Sequence, residues 1–97
     1  MKYGFLAACM MHVEGYYSTK SLAFKNNNPG NIEHNGQYRR YPDKLSGYTA
    51  LISDITLNAG TPLQHFIAKY APPTENNTSL YLQIVCELTG MKPNDVL

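Results

Sequence analysis

Ile32-Glu33-His34-Asn35-Gly36-Gln37-Tyr38-Arg39 is the stretch that decides the fold class. Asn-Gly is the preferred pair for a two-residue type I′ turn, because both central residues of that turn need a positive φ. The residues on either side can each supply a short strand, so the stretch predicts a β-hairpin. No other part of the chain carries a convincing β signal. Elsewhere apolar residues recur at helical spacing. The expected fold is α+β, mainly helical with one small β-hairpin, in a single domain over residues 1–97.

Moving toward the N-terminus, Asn26-Asn27-Asn28-Pro29-Gly30-Asn31 is strong turn chemistry. Three consecutive asparagines are costly to desolvate unless their amides meet backbone groups or a ligand. The segment Gly15–Asn31 reads as mostly irregular, with Tyr16-Tyr17 and Leu22-Ala23-Phe24 as anchors. Before it, a helix is expected from about Lys2 to Glu14, with a core stripe of Phe5, Leu6, Cys9 and Val13 and with Met10 beside it.

Toward the C-terminus, Tyr41-Pro42-Asp43 leads out of the hairpin. A helix is expected from Ser46 or Gly47 to Asn58, with Tyr48, Leu51, Ile52, Ile55 and Ala59 facing the core and Gly60 at its end. A second opens with Thr61 as cap and Pro62 in the first turn. It carries Leu63, Phe66, Ile67 and Tyr70 and stops at Ala71-Pro72-Pro73. A third runs from Asn77 or Thr78 to Thr89, with Leu80, Tyr81, Ile84, Val85 and Leu88 as its stripe and Gly90 ending it. Lys92-Pro93-Asn94-Asp95 reads as the start of one more helix.

Composition narrows the function classes. With 43% hydrophobic and 15% charged residues, the chain reads as globular rather than disordered. Its net charge of +1 and single adjacent basic pair, Arg39-Arg40, argue against nucleic-acid binding. The aromatics are eight Tyr, three Phe and no Trp, flat faces with hydroxyl tips suited to stacking on sugars or nucleobases. Cys9 and Cys86 fall on apolar helix faces and read as reduced thiols, with a bridge between first and last helices as the alternative. His12, His34 and His65 lack metal-ligand spacing, so neither a metal nor a cofactor is expected. No apolar run approaches the roughly 18 residues of a membrane span. Leu6-Ala7-Ala8-Cys9 looks like a lipidation box, but the apolar stretch before Cys9 is shorter than the roughly 7–15 residues a signal core needs.

Glu14 is the candidate catalytic residue. It is the only acid in the first thirty-two residues, and it sits where an apolar helix gives way to Gly15. Apolar surroundings and the negative end of the helix dipole both disfavour its charged form. Both raise its pKa toward the range of a general acid working near neutral pH. The competing reading is a solvated glutamate with no role.

The blocks Glu14-Gly15, Asn27-Asn28-Pro29-Gly30-Asn31-Ile32, Gly47-Tyr48-Thr49-Ala50-Leu51 and Tyr70-Ala71-Pro72-Pro73-Thr74-Glu75-Asn76-Asn77-Thr78, in this order, resemble the lysozyme-like superfamily. The specific likeness is to phage-type peptidoglycan-cleaving domains of lytic transglycosylase or glucosaminidase type. The resemblance implies a groove with the hairpin as one wall and Glu14 on its floor. It implies that Glu14 protonates the oxygen of a β-1,4 bond between N-acetylmuramic acid and N-acetylglucosamine. The partner would be the peptidoglycan strand, and the setting a phage virion, tail module or lysis cassette, with action on the cell wall from the virion or the host cytoplasm.

A hydrolase of the two-carboxylate kind needs a second acid, and Glu33 and Asp43 are the nearest candidates. Neither stands at a recognisable partner position, which favours a lyase with one carboxylate. Asn28 and Asn31 either bind acetamido groups or brace the hairpin base. Tyr70 lines the cleft or belongs to the core. Glu75 and Asn76 form the opposite rim, unless the segment serves only to cap a helix. Tyr38 and Tyr41 either stack on sugars or cover the sheet. The alternative to an enzyme is a non-catalytic module that binds glycan or builds part of a phage tail.

Overall fold

A computed structural model describes residues 3–97, so the expected helix start at Lys2 lies outside the described residues. The elements are α1 (Gly4–Val13), α2 (Leu22–Lys25), β1 (Glu33–His34), β2 (Gln37–Tyr38), α3 (Lys44–Leu57), α4 (Leu63–Tyr70) and α5 (Thr78–Thr89). The architecture is α+β, with helices around one core and a small antiparallel sheet at the side. The two strands pair Glu33 with Tyr38 and His34 with Gln37. Asn35 and Gly36 take φ of 53° and 78°, as a type I′ turn demands.

The core is built mainly by α1, α3, α4 and α5. Leu51, Ile55, Leu63, Phe66, Ile67 and Val85 are buried together with Leu6, Ala7, Met10 and Met11. Leu6, Cys9 and Met10 of the expected α1 stripe are buried and Val13 packs against the core, so the expectation is corrected at Phe5. Phe5 is 63% exposed and Val13 only half-buried, while Ala7, Met10 and Met11 are buried. The helix is apolar nearly all round, so periodicity could not exclude Phe5. On α5, Tyr81 and Val85 face inward, whereas Leu80 and Leu88 are exposed. Ala59 is exposed as well.

Caps set the helix ends. α3 begins earlier than expected because the Asp43 carboxylate accepts from Ser46 N at 2.7 Å. Asn77 caps α5 by accepting from Leu80 N, and Gly90 ends it at φ 76°. The stretch read as irregular contains α2, one turn capped by Ser21. The α4 entry differs from expectation, since no side chain caps it. Its free N–H groups are met by the C-terminal segment instead. Leu63 N donates to Asp95 O and Gln64 N to Pro93 O, at 2.7 and 2.9 Å. Residues 92–97 therefore form no helix; they bridge Val96 to Pro62 and bury Leu97.

Both cysteines are free thiols, Cys9 buried and Cys86 half-buried, and burial raises the pKa of each. No described helix is long and apolar enough to cross a membrane.

Candidate active site

The Asn-rich turn positions the site. Asn28 is fully buried, and its amide is spent on the hairpin base. Nδ2 donates to Ile32 O and Arg39 O at 2.9 and 3.0 Å, and Oδ1 accepts from Ile32 N at 2.9 Å. The expectation that Asn28 binds substrate is therefore corrected: a buried amide whose two donors and acceptor all meet backbone has nothing left for a ligand. Asn27 adds a bond to Tyr41 O at 3.2 Å and holds φ at 51°. The turn also packs tightly on two helices. A Cβ on Gly47 would overlap the Asn27 carbonyl oxygen, and one on Gly30 would overlap the Tyr70 hydroxyl. Tyr70 in turn donates to Gly30 O.

Asn31, at φ 48°, reaches the other way. Its Nδ2 donates to both the carbonyl and the Oε1 carboxylate oxygen of Glu14, at 3.2 and 3.1 Å. The amide oxygen is left buried without a partner among the described residues, so the orientation is dictated by what the nitrogen holds. Tyr81 donates its hydroxyl to Glu14 Oε2 at 2.9 Å. Each carboxylate oxygen thus has one donor, supplied by a turn and a helix far apart in sequence.

Glu14 is the residue that closes α1, with φ −76° and ψ −2°. Its pKa is raised, chiefly by burial and also by the charge of Glu33; the bonds from Asn31 and Tyr81 oppose the shift. Among the described residues no cation pairs with it. Burial pushes the Tyr81 and Tyr70 hydroxyls far above the ordinary tyrosine range, and Glu14 adds to both shifts. Tyr81 therefore remains a donor at any working pH.

Glu14, Asn31, Tyr38, Tyr70, Glu75 and Asn76, all expected at the site, line one compartment of about 240 Å³ together with Glu33. Tyr38, 46% exposed, stands on the hairpin wall, and Glu75 and Asn76, from the segment between α4 and α5, line the same compartment. Glu33 has a raised pKa, from burial first and then from Glu75. Asp43, the other candidate second carboxylate, is exposed and occupied as the α3 cap, away from this groove. Asn31, Glu33, Tyr70 and Glu75 are shared with a neighbouring compartment of about 300 Å³, whose remaining lining includes Asp54, Asn58, Phe66 and Lys69.

Comparison with known proteins found no family model, no curated protein and no solved structure that matches this chain. What the site can do rests on its geometry. A half-buried carboxyl with a raised pKa, open to a groove with polar walls, can donate a proton to a bound ligand and take one back.

Four of the residues that build the two compartments and hold Glu14 were not legible in the sequence as functional residues. Tyr81 was legible only as part of a helix stripe, since periodicity gives the face of a tyrosine and not where its hydroxyl ends. Asp54, Asn58 and Lys69 gave no motif at all; they come from α3, its C-terminal cap and α4, and only the folded chain brings them to one compartment. No cluster of ligating side chains able to hold a metal ion occurs among the described residues.

Proposed function

We propose that the chain is a lysozyme-like peptidoglycan-cleaving domain of lytic transglycosylase type, with Glu14 as general acid and base. The observation that carries the reading is the Glu14 carboxyl itself: desolvated, unpaired with any described cation, and facing a groove with tyrosine and asparagine walls. A carboxyl in this state holds its proton to higher pH than a solvated glutamate does, which is the direction a general acid needs. The order of sequence blocks set out above supports the substrate class, the β-1,4 bond between N-acetylmuramic acid and N-acetylglucosamine.

In the reaction, Glu14 gives its proton to the glycosidic oxygen as the bond from that oxygen to the anomeric carbon breaks. The resulting carboxylate then takes the proton of the muramic 6-hydroxyl, whose oxygen bonds to the same anomeric carbon. The product is a 1,6-anhydro ring, no water is consumed, and Glu14 ends protonated again. Asn31 and Tyr81 hold the carboxyl by its two oxygens and stabilise its ionised form between the two transfers.

Glu33 lines the same compartment and supports a second reading, hydrolysis by two carboxylates. Product mass separates the routes: anhydro fragments are lighter by one water, and hydrolysis leaves reducing ends. The same two donors on Glu14 favour its charged form, which is what a non-catalytic binding module would keep.

The deciding experiment compares the native protein with Glu14→Gln on purified sacculi, following turbidity and fragment masses. Loss of a positioned general acid lowers the rate by roughly 10²–10⁴-fold. Equal activity in both proteins removes Glu14 from the mechanism, and inactivity of the native protein leaves the binding module.

A further inference from the structure

Charge is distributed unevenly along the groove. Glu14, Glu33 and Glu75 crowd the central compartment, and Asp54 lines the adjoining one. Among the described residues, Lys69 is the only cation lining either. It stands in the last turn of α4, exposed, and makes no ion pair among the described residues. Its charge does reach the Asp54 carboxyl, where it offsets part of the shift that burial causes. Lys69 and Asp54 thus line the same compartment, and the two interact through charge without forming an ion pair.

A ligand group with negative charge meets repulsion from Glu33 and Glu75 in the central compartment. Beside Lys69 the sign reverses. We infer that Lys69 is a specificity residue, binding a carboxylate carried on a sugar that neighbours the bond facing Glu14. The inference rests on the reading of the groove as a glycan site and narrows it. The preferred ligand is a glycan with carboxylate-bearing side groups, and an uncharged glycan of the same length is the poorer one. Asp54 competes for the same ammonium, so it weakens the preference that Lys69 creates.

The test measures binding, not cleavage, by calorimetric titration of the Glu14→Gln protein. Two oligosaccharides of equal length are compared: one of N-acetylglucosamine alone, and one in which alternate sugars are N-acetylmuramic acid with a free lactyl carboxylate. At low salt the carboxylate-bearing oligomer should bind about one-and-a-half- to fivefold more tightly, the range of an exposed ion pair. Raising the ionic strength should shrink that ratio, since the contact is open to solvent. Adding Lys69→Gln should remove the preference while leaving affinity for the uncharged oligomer unchanged. Adding Asp54→Asn instead should enlarge it. Equal affinity for the two oligomers, or a preference that survives Lys69→Gln, overturns the assignment of Lys69 alone. No binding of either oligomer overturns it together with the glycan reading.

Discussion

Glu14 couples the site to folding through its proton. Its pKa in the folded chain lies above the ordinary glutamate value, which the unfolded chain keeps. Between those two values the folded state binds more protons than the unfolded state, so stability falls as pH rises through that window. Above the folded pKa the cost is complete, and below the ordinary value it is absent. Glu14→Gln removes the charge while leaving an oxygen to accept from Asn31 and an amide to donate to the Tyr81 oxygen. The variant should melt at a higher temperature than the native protein near neutral pH, and the two melting curves should converge as pH falls toward 4 (roughly the unperturbed carboxyl range). A gap that persists unchanged in acid would show that the carboxyl is not desolvated. The position of Glu14 at a helix end was legible, because Gly15 punctuates the chain locally. Its burial was not, because the covering comes from Tyr81, sixty-seven residues away in sequence. Asn28 and Asn31 make the same point. Two identical side chains in one turn read alike, yet one is buried on backbone groups and the other holds the carboxylate.

Elements were legible where their chemistry is local. The hairpin register follows from Asn35-Gly36, and α5 follows from Asn77 and Gly90, each acting on its own neighbours. The α3 start was missed because a capping carboxylate, Asp43, lay just outside the apolar pattern. More revealing is Gly47, inside α3 and buried. Propensity alone says that Gly→Ala in a helix interior stabilises by about 0.5–1 kcal/mol. Close approach says the opposite, because the new methyl group would overlap the Asn27 carbonyl oxygen and crowd Pro29. Backbone, unlike a flexible side chain, cannot swing aside, and overpacking of this kind costs about 1–3 kcal/mol. Gly47→Ala should therefore lower the denaturant midpoint and loosen the turn that carries Asn28 and Asn31. A raised midpoint would mean that α3 does not press on the turn as described.

At the scale of the molecule, the site exists only because helices distant in sequence meet. α1 brings Glu14, the Asn-rich turn brings Asn31, and α5 brings Tyr81, while the C-terminal segment holds α4 by its otherwise free N–H groups. Such assembly cannot be read from any window of sequence, since no local pattern fixes how α5 lies against α1. It does give a prediction in which fold and chemistry are inseparable. Tyr81 is buried, and its hydroxyl lowers the Glu14 pKa by donating to the ionised form. Tyr81→Phe keeps the ring in the core and removes only that donor, so Glu14 should hold its proton to higher pH. If Glu14 acts as an acid, activity falls on the alkaline side as that proton is lost, and the alkaline limb of kcat/KM should move upward in Tyr81→Phe. A purely structural tyrosine would change stability or KM and leave the limb in place. A limb that stays fixed, or moves to lower pH, would separate Tyr81 from the proton on Glu14 and leave α5 with no more than a packing role.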